Sequence, residues 1–298
     1  MNKTILITGS NGLLGQKLVH LLKQKNKVVA TSLGSCLISN QSDFIYQSLD
    51  ITEEKNILPI FEKYKPDFVI NTAAMTNVDG CEDDKELCDK TNVTAVNYLS
   101  RACENFNSHL IHISTDFIFD GENGPYREND QPNPLSYYGL SKWKSEQVLQ
   151  QSNCKWAILR TIILYGTAEN LQRNNIVLWG RKALKGGQEL NIIDDQFRSP
   201  TLAEDLVQAC HLVIEKEAIG IYNASGKDIM SIYEMFERMA DFYQCDKSQI
   251  NKISSTTLNQ KAKRPTKTGF ILDKSIKELG YNPHSFEEGL SLLEKQLN

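Results

Sequence analysis

The stretch Thr8-Gly9-Ser10-Asn11-Gly12-Leu13-Leu14-Gly15 lies between a short apolar run at 4–7 and a helical pattern of leucines at 14–22. This order predicts a buried strand, a glycine turn and a helix. Glycine lets a backbone turn sharply and approach a ligand closely, and a helix N-terminus offers free N–H groups to a pyrophosphate. The spacing G-x-x-G-x-x-G is a variant of the dinucleotide fingerprint, so this stretch predicts a dinucleotide site.

Strand and helix patterns alternate along the first half of the chain. Strands are predicted at 28–31, near 44–51, and at 67–71, 110–114 and 156–160, with helices at 53–64, 85–105 and 138–151. Apolar strands that alternate with helices indicate a parallel sheet covered on both faces. Right-handed crossovers then give an α/β fold with a doubly wound parallel sheet, whose ligands bind beyond the carboxyl ends of the strands.

The pattern changes after about Gly166, where shorter helices and strands follow and proline and asparagine interrupt the last stretch. Helices are predicted at 176–185, 202–215 and 232–243, and a strand at 220–223. We therefore expect residues 1–165 to form a dinucleotide-binding domain. Residues 166–298 would form mainly a smaller substrate-binding lobe, with some segments returning to the first domain.

Composition excludes several classes of function. The 298 residues carry a formal net charge of −4, which argues against a nucleic-acid or anionic-membrane partner. No apolar run reaches the roughly 18 residues of a membrane span. The seven cysteines form no C-x-x-C pair, which favours reduced thiols in the cytoplasm. The five histidines show no metal-ligand spacing, so we expect no metal site.

Two residues in the predicted helix at 138–151 suggest acid–base chemistry. Tyr138 and Lys142 are four positions apart and share one helix face. A free tyrosine titrates near pH ~10, and a neighbouring lysine cation is expected to lower its pKa. Such a pair can exchange a proton with a carbonyl or alcohol oxygen. The alternative is that both are ordinary surface residues, because Y-x-x-x-K is frequent by chance.

A hydroxyl group follows the predicted strand at 110–114. Thr115, within Ser114-Thr115-Asp116, would lie at the carboxyl end of that strand, where it can hold a substrate carbonyl. A simple turn built from Ser, Thr and Asp is the alternative. The glycine turn, this hydroxyl and the Tyr138–Lys142 pair, in this order, favour an oxidoreductase.

These motifs resemble the extended short-chain dehydrogenase/reductases, and most closely the dTDP-4-dehydrorhamnose reductase group. The resemblance implies a Rossmann-like fold and covers nearly the whole chain. The matching stretches lie at 8–15, 71–79, 114–121, 138–142, 160–166, 199–206, 264–265 and 279–281.

The resemblance implies a role for individual residues. Tyr138 would be the proton donor, Lys142 would bind the nicotinamide ribose, and Thr115 would orient the keto group. Asp116 would contact the substrate, and Arg198 would contact a nucleotide-sugar phosphate unless it is a solvated loop residue. The implied cofactor-binding residues are Gly9, Asn11, Gly12, Leu13, Leu14, Ser32, Asp50, Ile51, Ala73, Ala74, Met75, Tyr138 and Lys142.

Two positions depart from the group's pattern. Phe117 stands where the group often has tyrosine, and Ile163 stands where it often has a tryptophan that packs on the sugar. Both changes remove groups expected to face the substrate and leave the predicted cofactor site unchanged. The identity of the sugar therefore stays open.

The end of the second predicted strand bears on cofactor choice. An enzyme selective for NAD usually has an acid there to hold the ribose 2′-hydroxyl. This chain has Thr31-Ser32-Leu33-Gly34-Ser35, with no acid to repel a 2′-phosphate. We therefore expect NADPH, with NADH as the alternative.

The leading hypothesis is an NAD(P)H-dependent reductase of a 4-keto-6-deoxy nucleotide sugar. An epimerase of the same superfamily is one alternative. A dehydratase is disfavoured because Phe117 occupies the position of its glutamate. A second alternative is a non-catalytic NADP-binding subunit, similar to the regulatory subunit of methionine adenosyltransferase. The expected partner is a small-molecule nucleotide sugar, and a homodimer is compatible with the resemblance.

Overall fold

The computed structural model describes residues 3–171 and 174–297. Its main sheet is parallel and consists of β1 (Thr4–Thr8), β2 (Lys27–Ser32), β3 (Ile45–Ser48), β4 (Phe68–Asn71), β5 (His109–Thr115), β6 (Lys155–Thr161) and β11 (Gly220–Asn223). The strand order is β11-β6-β5-β4-β1-β2-β3. Chain order runs outward in both directions from the neighbours β1 and β4. Their carboxyl ends therefore border the crevice in which doubly wound sheets bind ligands.

Helices cover both faces of this sheet. α1 (Leu13–Leu22) and α8 (Ala203–Lys216) lie on one face, and α2 (Glu54–Tyr64), α5 (Ala95–Phe106) and α6 (Tyr137–Gln150) lie on the other. Successive residues of β1 show the division, because Ile5 and Ile7 join the first core and Leu6 joins the second. The predicted α/β fold with a doubly wound parallel sheet is confirmed.

A further hydrophobic core forms from the later part of the chain. It contains side chains of α7 (Ile176–Lys185), α9 (Ile232–Tyr243) and α10 (Phe286–Leu297). Three two-stranded sheets accompany it: β7 (Leu164–Tyr165) with β10 (Thr201–Leu202), β8 (Leu190–Ile193) with β13 (Ile250–Ile253), and β9 (Phe197–Arg198) with β12 (Met230–Ser231). By contrast, α8 and β11 pack with the main sheet.

The structure corrects two expectations about helices. The predicted helix at 85–105 is divided into α4 (Lys85–Asp89), a π-helical turn at Lys90–Thr94 and α5. A further short helix, α3 (Val78–Asp83), precedes it. No helix is predicted from the sequence after 232–243, yet α10 forms because Phe286, Leu290 and Leu293 recur at helical spacing and are buried. No helix in the described ranges has both the length and the apolar character needed to cross a membrane.

A buried ion pair connects β6 to α6. Arg160 Nη2 lies 2.7 Å from Glu146 Oε2, and its Nε lies 3.0 Å from Oε1. Ser114 at the end of β5 donates to the same carboxylate at 2.5 Å. Both charged side chains are excluded from solvent. The two-point geometry fixes α6 relative to the ends of β5 and β6.

We expect Arg160→Met to destabilise the fold by about 3–5 kcal/mol, because it leaves the Glu146 carboxylate buried without its cation. Replacing both members, as Arg160→Met/Glu146→Leu, should recover part of that loss. Lys247→Met, which removes an exposed ion pair with Asp241, is the control and should have little effect. Urea unfolding measures all three, and an equal loss for the Arg160 and Lys247 variants would contradict the assignment.

Candidate functional site

A cavity of about 720 Å³ lies at the carboxyl ends of the central strands. Its lining includes the glycine turn before α1, the end of β2 and the ends of β4 and β5. Leu206 of α8 and Asn174 and Asn175 before α7 also line it. The two asparagines could not be predicted from the sequence, because single asparagines occur in every type of structure.

The glycine turn brings the backbone close to the cavity. Gly9 has φ +69°, a left-handed conformation that favours glycine, and its carbonyl accepts from Gly12 N at 3.0 Å. A Cβ on Gly15 would lie 2.4 Å from that same carbonyl oxygen. Gly12 caps α1 without a side chain, so the first N–H groups of the helix are free for a ligand.

The structure brings most of the predicted cofactor residues together. The predicted residues that line the cavity are Asn11, Gly12, Leu13, Leu14, Ser32, Ala73, Ala74, Tyr138 and Lys142. Gly9, Asp50, Ile51 and Met75 lie outside the lining. Gly9 shapes the turn, and the Asp50 carboxylate accepts from the Thr52 hydroxyl at 2.7 Å. The Asn92 side chain accepts from the Met75 N–H at 2.8 Å.

The start of α6 presents Tyr138 to the cavity. Ser136 caps the helix by accepting from Gly139 N at 3.2 Å. A Cβ on Gly139 would lie 2.1 Å from the carbonyl oxygen of Phe117, so glycine permits a close approach to the turn after β5. The Phe117 and Tyr138 rings consequently meet edge to face, with their centres 5.7 Å apart.

The environment of Tyr138 corrects one expectation. Burial raises the pKa of its hydroxyl above the ordinary value, and hydrogen bonding to Thr115 offsets this only in part. Asp116 raises the pKa further. The prediction that Lys142 lowers this pKa is wrong for this structure, because burial outweighs any such attraction. Tyr138 therefore stays protonated near neutral pH.

Lys142 is held by groups on β5. Its side chain is 2% exposed, and its Nζ donates to the carbonyl oxygen of Ile113 at 2.7 Å. His112 Nε2 lies 3.1 Å from the same Nζ. Burial lowers the pKa of Lys142 to about 8, although Glu146 and Cys88 raise it.

Asp116 and Arg198, two of the three predicted substrate residues, lie next to each other. Asp116 lines the cavity, and its Oδ2 accepts from Thr268 Oγ1 at 2.6 Å. Arg198 is 2% exposed and outside the lining, with its Nε 3.6 Å from the same oxygen. Its other donors bond to the carbonyl oxygens of Phe197 and Pro265 at 2.7 and 2.6 Å. In this arrangement Arg198 positions Asp116, and its contact with a phosphate stays a prediction.

The two positions that depart from the group's pattern both face the cavity. Phe117 and Ile163 are part of its lining. Ile163 has φ +37°, an unusual backbone conformation for a β-branched residue. Strain of this kind is concentrated at ligand sites. Within residues 3–171 and 174–297, no cluster of three or more His, Cys, Asp or Glu side chains could hold a metal ion.

Comparisons with known proteins agree with this geometry. The family described as RmlD substrate binding domain matches residues 2–298. A dTDP-4-dehydrorhamnose reductase from Aggregatibacter actinomycetemcomitans is 31% identical over 298 residues, covering 96% of each chain. The crystal structure of a dTDP-4-dehydrorhamnose reductase from Bacillus anthracis str. Ames in complex with NADP has a TM-score of 0.87 and 26% identity, covering 99% of this chain and 100% of that chain.

A protein of a different class is also similar. Methionine adenosyltransferase 2 subunit beta from Bos taurus is 29% identical over 260 residues, which cover 86% of this chain and 76% of that protein. The resemblance to the dTDP-4-dehydrorhamnose reductases is confirmed by the family match and by the two reductases.

Lys142 provides a test of the site's electrostatics. Its folded-state pKa of about 8 lies below the ordinary value of 10.5, so the unfolded chain binds the proton more tightly. Below pH 8 the charged form therefore destabilises the fold, and this penalty disappears as the pH rises to 10.5. We expect Lys142→Met to be stabilised relative to the wild type near neutral pH.

This advantage should shrink by about 3 kcal/mol between neutral pH and about pH 10.5, at 1.36 kcal/mol per pKa unit. Urea unfolding of both proteins across this range measures it, because the other titrating groups cancel in the difference. A difference in stability that is independent of pH would show that Lys142 is not destabilised by burial.

Proposed function

We propose that this chain, which belongs to the RmlD substrate binding domain family, is an NADPH-dependent reductase of a 4-keto-6-deoxy nucleotide sugar. The observation that carries the proposal is the meeting of Thr115, Tyr138 and Lys142 with the glycine turn around one cavity. The lining of this cavity comes from both halves of the chain, which supports a shared site for a dinucleotide and a sugar.

The residues present fit a dinucleotide. Because Gly9 and Gly15 have no side chains, the backbone can pack closely in the turn. Gly12 leaves the N–H groups of α1 open to a pyrophosphate. Ala73 and Ala74 at the end of β4 have small side chains that would leave room for the nicotinamide half. When bound, the cofactor supplies a hydride to the carbonyl carbon of the substrate.

Three side chains would perform the proton chemistry. The Tyr138 hydroxyl stays protonated near neutral pH, so it can donate its proton to the oxygen of the reduced carbonyl. The Thr115 hydroxyl would hold that oxygen beside Tyr138. The Lys142 ammonium would bind the ribose hydroxyls from the floor of the cavity.

The preference for NADPH rests on the end of β2. Ser32 and Leu33 line the cavity there, and no carboxylate follows to repel a 2′-phosphate. The Ser32 hydroxyl can bond to that phosphate. Comparing the Kd values of NADPH and NADH tests this part of the proposal.

The two departures from the group's pattern bear on which sugar would bind. Phe117 and Ile163 place apolar surface in the cavity, where the group often has tyrosine and tryptophan. Such a wall would contact the deoxygenated side of a sugar. A dehydratase reading is disfavoured because Phe117 offers no acid for eliminating water. Net consumption of NADPH separates the reductase from an epimerase, which recycles its cofactor.

A regulatory subunit is the second candidate function, and the 29% identity to methionine adenosyltransferase 2 subunit beta favours it. Such a protein would bind a dinucleotide and a partner enzyme without reducing a sugar. Stoichiometric recovery of a partner enzyme, with no reduction across a panel of 4-keto nucleotide sugars, would replace the proposal by this alternative.

The proposal also gives a role to each part of the chain and a cellular compartment to the protein. Residues 1–165 would bind the dinucleotide, and residues 166–298 would supply mainly the substrate-binding lobe. The seven cysteines are free thiols, which supports a reducing compartment such as the cytoplasm.

We expect Tyr138→Phe to lower kcat by about 10²–10⁴-fold, because the variant lacks the proton donor while keeping the ring. The Kd for NADPH should change little. NADPH oxidation with a panel of 4-keto-6-deoxy nucleotide sugars measures turnover, and fluorescence titration measures binding.

The neighbouring Tyr137→Phe is the matched control. Its hydroxyl bonds to Asp89 at 2.8 Å, outside the cavity, so this variant should keep the wild-type kcat. Full turnover by Tyr138→Phe, or an equal loss in both variants, would refute the proposed role of Tyr138.

A further inference from the structure

A chain of buried polar groups runs from the floor of the cavity into the sheet. The Thr8 hydroxyl donates to Asn71 Oδ1 at 2.6 Å, and Asn71 Nδ2 lies 3.2 Å from His112 Nδ1. On the other side of the ring, His112 Nε2 lies 3.0 Å from Ser145 Oγ and 3.1 Å from Lys142 Nζ. All five side chains are buried, so their donors and acceptors need partners among neighbouring protein groups.

The imidazole cannot accept from both of its neighbours. Burial and the adjacent Lys142 hold the pKa of His112 well below its ordinary value, so the ring is neutral, with one donor and one acceptor nitrogen. An ammonium at Lys142 has only donors, and the Asn71 amide nitrogen has only donors. When Asn71 Nδ2 faces Nδ1, Nδ1 must be the acceptor, so the proton of the ring lies on Nε2. That N–H then faces Lys142, which is unfavourable when Lys142 is charged.

Two arrangements give both His112 and Lys142 matched hydrogen bonds. With neutral Lys142, the Nε2–H of His112 donates to Ser145 Oγ and Lys142 Nζ, while Ser145 donates to the carbonyl oxygen of Lys142 at 2.6 Å. With charged Lys142, Nε2 accepts from the ammonium and Nδ1 carries the proton. The Asn71 amide must then turn by half a rotation, so that its oxygen accepts from Nδ1–H.

We propose that His112 is a positioning residue that couples the protonation of Lys142 to the tautomer of its own ring and to the orientation of the Asn71 amide. In the charged state, His112 and the Ile113 carbonyl oxygen hold two N–H groups of the ammonium. The third N–H is then directed away from β5, and Lys142 lines the cavity. The consequence for turnover rests on the proposed function, whereas the coupling itself does not.

Other groups also face Lys142 and must be counted. Glu146 lies one turn along α6, Cys88 approaches from α4, and Tyr138 lies one turn earlier on α6. Glu146 and Cys88 both raise the pKa of Lys142. They stay in place when His112 is replaced, so a change caused by that replacement reports the contribution of the imidazole.

The first test uses the wild-type protein without a ligand. ¹⁵N spectroscopy of labelled histidine distinguishes the two tautomers, and the His112 signals are identified by their loss in His112→Gln. We expect the Nδ1–H tautomer at about pH 6.5 and the Nε2–H tautomer at about pH 9.5, below and above the lysine pKa. A single tautomer throughout this range would overturn the proposal.

The second test follows the titration of Lys142 by ¹³C spectroscopy of labelled lysine, with Lys142→Met identifying the signal. His112→Leu should lower the midpoint by about 1–2 pH units, because the ammonium loses a hydrogen bond that favours the charged form. His112→Gln should stay near the wild type, because its amide oxygen can accept near the position of Nε2.

His109→Gln is the control for replacing a buried histidine of β5 that does not touch Lys142, and its midpoint should match the wild type. Equal midpoints for His112→Leu and the wild type, or equal shifts for the leucine and glutamine variants, would overturn the coupling. If His112→Leu does not fold, the tautomer measurement on the wild type still decides.

The functional consequence has its own readout. In the reductase, kcat should fall at alkaline pH as Lys142 loses its proton. This fall should move to lower pH in His112→Leu and return to the wild-type position in His112→Gln. An unmoved pH profile beside a shifted lysine midpoint would overturn the role of His112 in turnover. Absence of any reductase activity would overturn the proposed function, and it would leave the spectroscopic results standing.

Discussion

The first turn of α6 can lie against the end of β5 because residue 139 is glycine. A side chain there would meet the carbonyl oxygen of Phe117 at 2.1 Å, and the helix would have to move outward. The close approach brings Tyr138 beside Thr115 and places Lys142, one turn later, over the backbone of β5. This backbone contact, together with the Arg160–Glu146 pair that fixes α6, brings the three side chains to one cavity.

The same packing disfavours charged groups in the site, because it buries their side chains away from water. Lys142 is buried where its charged form is disfavoured, and the phenol of Tyr138 is held in its neutral form. Arg160 and Glu146 neutralise each other beneath the ends of β5 and β6, and Arg198 lies beside Asp116 from the second half of the chain. Burial of this kind is typical of sites whose groups must hold a chosen protonation state.

Much of the fold follows from local sequence patterns. The helices Ile176–Lys185 and Ile232–Tyr243 have the predicted bounds, because apolar residues recur on one face and capping residues stand at the first turn. The π-helical turn at Lys90–Thr94 could not be predicted from the sequence, because it depends on tertiary contacts. There the Asn92 amide bonds to the backbone of Met75 and to Ser141, and neither contact has a periodic signal.

The site was predictable to a similar extent. The glycine turn and the Tyr138–Lys142 pair are local patterns, and the structure brings them to one cavity. The raised pKa of Tyr138 and the internal contacts of Arg198 depend on burial, which sequence spacing does not reveal. His112 did have a signal, since it is a polar residue in the apolar strand predicted at 110–114. Its partners on α6 and β4 became apparent only from the structure.

The central claim is that this cavity reduces a sugar carbonyl. Mass spectrometry tests it most directly, using a 4-keto-6-deoxy nucleotide sugar and NADPH that carries deuterium at both C4 positions. The account predicts a product that contains one deuterium, formed one-for-one with the oxidised cofactor. A product without deuterium, or an unconsumed cofactor across a panel of such sugars, would contradict it.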